Sequence, residues 1–143
     1  MRVLFDTNVI LDVLFDRPPF ADAGIRLFSE VERERIHACL CASSVTTIHY
    51  LAAKVVGLQA AESHIRKILS IFDVATVNRG VLDAALEIGF QDFEDGVTHE
   101  AASLYGAEMI VTSNPRDFRR SLIPVLSPVE LLELISARSE TGN

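Results

Sequence analysis

Short apolar runs alternate with longer helical patterns along all 143 residues, and this alternation leaves few folds open to the chain. Val3-Leu4-Phe5, residues 36–41, residues 72–77, Met109-Ile110-Val111 and residues 123–126 read as strands. They are short, rich in β-branched and other large apolar residues, and bounded by polar or turn-forming ones. Between them, apolar residues recur at helical spacing over 8–15, 20–33, 43–56, 59–71, 79–88, 93–104 and 128–137. Pro18-Pro19 and Gly57 interrupt this pattern, Ser43 or Ser44 offers a hydroxyl cap, and Pro128 suits a first helical turn. Strands joined through helices need crossovers, which make parallel neighbours covered on both faces. The expected fold is an α/β/α sandwich around a central five-stranded, mainly parallel sheet. It occupies residues 1–137, with a polar, frayed tail at 138–143.

Composition narrows the partners. The chain is 49% hydrophobic with a mean hydropathy of +0.27, rich for its length, and the surplus suits a homodimer or partner interface. A net charge of −7 and a pI near 5.0 argue against sequence-independent nucleic-acid binding by the whole surface, because phosphate contacts need cations. Eleven of the thirteen cations are nevertheless arginines, and Arg116, Arg119 and Arg120 cluster just after the fourth strand. Arginine forks match phosphate oxygens; a solvated helix face is the plainer reading of the same cluster. Cys39 and Cys41 alternate on one strand, a spacing that suits neither a disulfide nor zinc, and read as small core residues in a reducing compartment. Asp6 and Asp12 interrupt the apolar N-terminus, so neither a signal peptide nor a membrane span is expected, and the cytoplasm is the expected location.

A parallel sheet brings all strand C-termini to one edge. The residues that follow the strands are Asp6-Thr7-Asn8, Ala42-Ser43-Ser44, Asn78 and Thr112-Ser113-Asn114, nearly all bearing oxygen. Asp92-Phe93-Glu94-Asp95 and Asp117 add carboxylates nearby in the pattern. Brought together, they would repel strongly unless a cation neutralised them, and an all-oxygen pocket suits a hard divalent ion. Local roles compete with this reading. Asp92 is placed to cap a helix, Asp6 to form an Asx turn with Thr7 or Asn8, and Asp117 to cap or to pair with Arg120. Asp12 reads as solvated. His99 falls one turn after Asp95, but His37, His49, His64 and His99 all read as ordinary structural or surface residues. No G-x-S-x-G, Walker A, C-x-x-C or G-x-G-x-x-G pattern occurs.

Taken in order, these segments resemble the PIN-domain ribonucleases, and within them the toxin subunits of VapBC-type toxin–antitoxin modules. The resemblance is carried by residues 3–10, by Ala42-Ser43-Ser44-Val45-Thr46, by Asp92-Phe93-Glu94-Asp95 with Ala101-Ala102, and by residues 110–114 with Asp117-Phe118. It implies a Mg²⁺- or Mn²⁺-dependent endoribonuclease, usually dimeric and inhibited by a small DNA-binding antitoxin. Asp6 would be the first metal ligand and Asp95 the third acid, with Asn8 and Thr112 orienting ligands and water. Two positions depart from the family pattern. No acid occurs between Val45 and Val56, where many members carry a glutamate and His49 or its neighbours align here, and Asn114 stands at the fourth acidic position. Glu94 is the expected substitute ligand, with Asp117 as a further carboxylate. Ser113 and Asn114 would position water, and Arg17 or Arg116 would hold the RNA backbone. A catalytically degenerate nucleic-acid- or protein-binding module is the main alternative. A receiver-type phosphate-handling domain is a weaker one, because neither Lys54 nor Lys67 follows a late strand.

Overall fold

The computed structural model describes Met1–Glu140. Its strands are β1 (Arg2–Phe5), β2 (His37–Cys41), β3 (Asp73–Ala75), β4 (Met109–Val111) and β5 (Val125–Leu126). Its helices are α1 (Thr7–Leu14), α2 (Ala21–Glu32), α3 (Ala42–Val56), α4 (Leu58–Ile71), α5 (Arg79–Ile88), α6 (Phe93–Tyr105) and α7 (Pro128–Glu140), with a 3-10 turn at Pro115–Phe118. The strands form one sheet in the order β3-β2-β1-β4-β5, and every pairing is parallel.

Alternation along β1 builds both cores. Val3 and Phe5 point to one face, where they pack with Leu27 of α2, Ile48 of α3, Ile68 of α4 and Leu131 of α7. Leu4 points to the other face and joins Cys39, Cys41, Ile110, Val81 of α5, and Ala101 and Ala102 of α6. Both cysteines are free and buried. Phe72 closes the first core edge-on to Phe5 and Phe28, with ring centroids 5.2 and 5.3 Å apart. Burying side chains of this size contributes roughly 1.5–3 kcal/mol each. On the second face, a Cβ on Gly96 would lie 3.2 Å from the carbonyl oxygen of Ala85, so the glycine lets α6 press against α5. This fixes the start of α6 relative to the sheet.

Several boundaries differ from the expected ones. β3 is shorter because Phe72 caps α4 instead of extending the strand, and residues 76–77 leave the ladder. β5 begins at Val125: Pro124 accepts a bond from the Ile110 amide at 2.9 Å but has no N–H to give. Neither Ser43 nor Ser44 caps α3; Cys41 holds that place without a side-chain bond to a helix amide, and both serines lie inside the first turn. The last helix runs through Glu140, so residues 138–140, expected in a frayed tail, are helical. The remainder of that tail, 141–143, lies outside the described residues. No helix among the described residues is long and apolar enough to cross a membrane.

Candidate active site

The strand order reverses direction between β1 and β4, and open parallel sheets bind ligands at such a point. Phe5 is in register with Val111, so Asp6 and Thr112 leave the sheet side by side. The Asp6 amide still bonds to the Val111 carbonyl at 2.9 Å. Asp6 is buried and doubly held: Oδ1 accepts the Thr7 amide at 2.9 Å, and Oδ2 accepts the Thr112 hydroxyl at 2.9 Å. The Asx turn and the site are therefore the same arrangement. A carboxylate oxygen has more than one lone pair, so each keeps a free acceptor direction.

Around Asp6 runs a network of hydroxyls and amides. Thr112 Oγ1 has one proton, which Asp6 takes; the same oxygen accepts the Asn114 amide at 3.1 Å. Asn8 Oδ1 accepts the Ser113 amide at 3.2 Å, and Ser113 Oγ donates to Asp12 Oδ2 at 2.6 Å. Thr7 Oγ1 donates to Ser44 Oγ at 2.8 Å, which binds the end of β1 to the start of α3. Ser44 is thus a strut between elements, not the helix cap expected of it.

Asp92 caps α6, as its position suggested, through bonds from the Glu94 and Asp95 amides at 2.8 and 3.4 Å. This aims the first turn of α6 at the sheet edge. Glu94 Oε1 accepts the Thr47 hydroxyl of α3 at 3.2 Å. The side chain of Asn114 is exposed, and Asp117 sits exposed in the 3-10 turn with no ion pair to Arg120.

The charges of these distant acids meet. Burial pushes the Asp6 carboxyl up from 3.8 to about 6 against the pull of Thr112 and Thr7, and the charges of Asp117 and Glu94 add to the rise. Burial also lifts Asp95 to about 7, helped by the charges of Asp6, Asp92, Asp117 and Glu94. The two values describe one coupled titration. Together the two carboxyls keep part of the negative charge off the site in the pH range where ordinary carboxyls are fully ionised.

Such a cluster fits a hard cation in its donor chemistry, since its groups are oxygens and burial, helped by neighbouring charge, opposes the ionisation of Asp6 and Asp95. No three acidic, His or Cys side chains among the described residues close a metal shell by themselves. Two carboxylates completed by other oxygens suit Mg²⁺, which keeps several waters.

Two expectations change. Asp12 is buried, not solvated: it takes the Ser113 hydroxyl and a 2.9 Å ion pair from Arg17 Nε. Asn8 and Asp12 are one helical turn apart, and that shared face was the available signal. Arg17, expected to hold RNA, is engaged by this pair. His99 is structural, as its sequence position suggests. It is buried, its Nε2 accepts the Leu122 amide at 3.1 Å, and Nδ1 lies 2.7 Å from Glu100 Oε2. An accepting Nε2 puts the proton of the neutral ring on Nδ1. Thr47 was not anticipated; its signal is its place one turn after Ser43 and Ser44 on α3.

Known proteins share this fold. Ribonuclease VapC1 of Aquifex aeolicus (strain VF5) is 23% identical to the chain over 137 residues, 92% of this chain and 94% of that one. The DNA-bound VapBC from Salmonella typhimurium superposes with a TM-score of 0.70 at 16% identity, over 90% of this chain and 98% of the matched one. VapBC2 from Rickettsia felis, bound to a promoter DNA fragment, gives 0.69 at 14% identity over 89% and 98%. These likenesses share the fold of the five-stranded sandwich. The family model of the PIN domain matches residues 2–116, and the chain belongs to the PIN-domain family.

Proposed function

We propose that this protein is a metal-dependent endoribonuclease that hydrolyses RNA phosphodiester bonds, as the toxin of a type II toxin–antitoxin pair. The observation that carries the reading is the concentration of acids at the β1–β4 switch point: besides burial, the charges of Asp117 and Glu94 help to raise Asp6, and the charge of Asp6 helps to raise Asp95. Similarity to a protein named Ribonuclease VapC1, and to chains of VapBC complexes, supports both the activity and an antitoxin partner.

Asp6 and Asp95 would hold Mg²⁺ or Mn²⁺, with Glu94 replacing the acid missing from α3. Its bond to Thr47 supports that substitution, because it ties the Glu94 carboxylate to the helix where the family glutamate would stand. A bound divalent cation supplies an acidified water and stabilises charge growing on the phosphate. Thr112 and Thr7 keep the Asp6 oxygens aimed, and Asn8 orders the Thr112-Ser113 backbone. Asn114 and Ser113 position water, Asp117 adds negative field, and Arg116 holds the RNA backbone. Arg17 contributes indirectly, through Asp12 and Ser113. Single-stranded or looped RNA is the substrate, since its backbone enters a cleft and its bases splay. Exposed Tyr50, Val55, Val56 and Leu58 on α3 and α4 suit a homodimer or antitoxin contact. Buried free cysteines suit a cytoplasmic protein.

The test is cleavage of a structured RNA with Mn²⁺ by wild type and Asp6→Asn. Equal, metal-independent cleavage by both rules the mechanism out. The second reading, a degenerate binding module, is favoured by the small number of carboxylates that converge. It requires that millimolar Mn²⁺ leave the protein unbound, which calorimetric titration decides.

A further inference from the structure

Beside the acidic cluster lies an open cleft of about 850 Å³ between residues 89–92, where α5 meets α6, and residues 116–120. Asp95 and Asp117 line it together with Arg116, Arg119 and Arg120. None of these three exposed arginines forms an ion pair among the described residues, although carboxylates line the same cleft. By contrast, Arg17, Arg26, Arg35 and Arg79 are all paired. In a chain of net charge −7, three unpaired guanidinium groups around one cleft are an anion-binding feature.

The cleft is built in advance. The His99 ring lies under both walls: it packs on Phe90 with centroids 5.2 Å apart, and it accepts the Leu122 amide just beyond Arg120. Phe90 in turn meets Phe118 edge-on at 5.9 Å. Gly89 has φ +72°, and a Cβ there would lie 3.4 Å from Arg120 Nη1. Arg120 therefore reaches over the C-terminal end of α5, where a cation is favoured, and narrows the cleft at that end.

We propose that this cleft carries the RNA strand away from the scissile bond, with Arg119 and Arg120 binding phosphates that flank the one cleaved. The ligand's identity rests on the ribonuclease reading; the anion chemistry does not. Its volume, within the roughly 300–1,000 Å³ of ligand clefts, suits a stretch of sugar–phosphate backbone rather than one ion. The arrangement also explains how an acidic protein approaches a polyanion: the positive charge is confined to the approach.

The test is fluorescence anisotropy of a labelled, unstructured 12-nucleotide RNA on the full chain carrying Asp6→Asn, in Mg²⁺, across a salt series. Arg119→Ala/Arg120→Ala should weaken binding about tenfold or more and reduce the slope of log K against log salt by about 1.4, at 0.7 per phosphate lost. Arg119→Lys/Arg120→Lys should keep most of the slope. Arg33→Ala/Arg66→Ala, the same loss of charge at exposed positions just after α2 and on α4, should change neither quantity. Equal weakening by both alanine pairs, weakening by neither, or no RNA binding at all overturns the proposal. Arginine-dependent binding with no cleavage by the wild type would instead remove the nuclease reading and leave the cleft's role standing.

Discussion

Thr47 on α3 and Glu94 on α6 meet across 3.2 Å, so helices from opposite faces of the sheet are joined above its edge. The contact places a carboxylate beside the helix that lacks one. Glu94→Gln keeps the shape and removes the charge, so it should weaken Mn²⁺ binding and cleavage by about 10–100-fold, the range for groups that tune a metal site. Thr47→Val removes only the orienting hydroxyl and should cost less than Glu94→Gln in both. Titration calorimetry and RNA cleavage read the two effects. Wild-type values for Glu94→Gln would mean that this carboxylate does no work at the metal.

The suppressed ionisation of Asp6 and Asp95 makes stability depend on pH. Both carboxyls titrate near 3.8 when unfolded, but at about 6 and about 7 in the fold. Between those values the folded chain holds more protons than the unfolded one, so its stability falls as pH rises. Through these two groups the metal-free protein should lose stability steadily from about pH 4 to about pH 7, with Asp6 contributing up to about 3 kcal/mol of the loss between about pH 4 and about pH 6. Mn²⁺ should restore the loss at pH 8, by about 2.7 kcal/mol at a hundred times its Kd. Asp6→Asn should reduce the slope of the metal-free profile and leave the part that belongs to Asp95. Melting curves from pH 4 to 8 that show no slope would contradict the coupled-acid picture.

Much of this arrangement is visible before folding, and the reasons for the rest are physical. Asp6, Thr112 and Asn114 follow short apolar strands, so their place at one sheet edge follows from parallel pairing alone. The adjacency of β1 and β4 does not, because more than one hundred residues and three crossovers intervene. Asp92 is recognisable as a cap from its local spacing. Asp12 is not recognisable as buried, since its partners are Arg17, beyond the helix, and Ser113, far along the chain. Likewise the fate of Arg17 depends on that burial. Glu94 is legible as a polar first-turn residue of α6 and Thr47 as a polar residue one turn into α3, but their meeting depends on how α3 and α6 flank the sheet.

Asp12 should behave as a structural acid. Removing it as Asp12→Ala leaves Arg17 Nε and the Ser113 hydroxyl without their acceptor, at a cost of about 1–3 kcal/mol. Arg17→Ala should cost less, because Arg17 is exposed and Asp12 would keep the Ser113 bond. Urea unfolding orders the two variants. A larger loss for Arg17→Ala would show that the arginine, not the buried carboxylate, anchors this corner.

His99 should matter for stability far more than for chemistry. Its ring satisfies the Leu122 amide, pairs with Glu100 and packs on Phe90, and none of these touches an acid of the cluster. His99→Ala removes a buried ring and strands the Leu122 amide, which together should cost about 2–4 kcal/mol. His99→Gln can replace one polar contact without filling the ring's volume, so it should fall between wild type and alanine. The loss should appear in urea unfolding, while Mn²⁺ affinity measured on the folded fraction stays within about twofold, because the acids' own bonds to Thr7, Thr112 and Thr47 are untouched. A His99→Gln variant that folds like wild type but no longer binds Mn²⁺ would assign the ring to the metal site and refute its structural role.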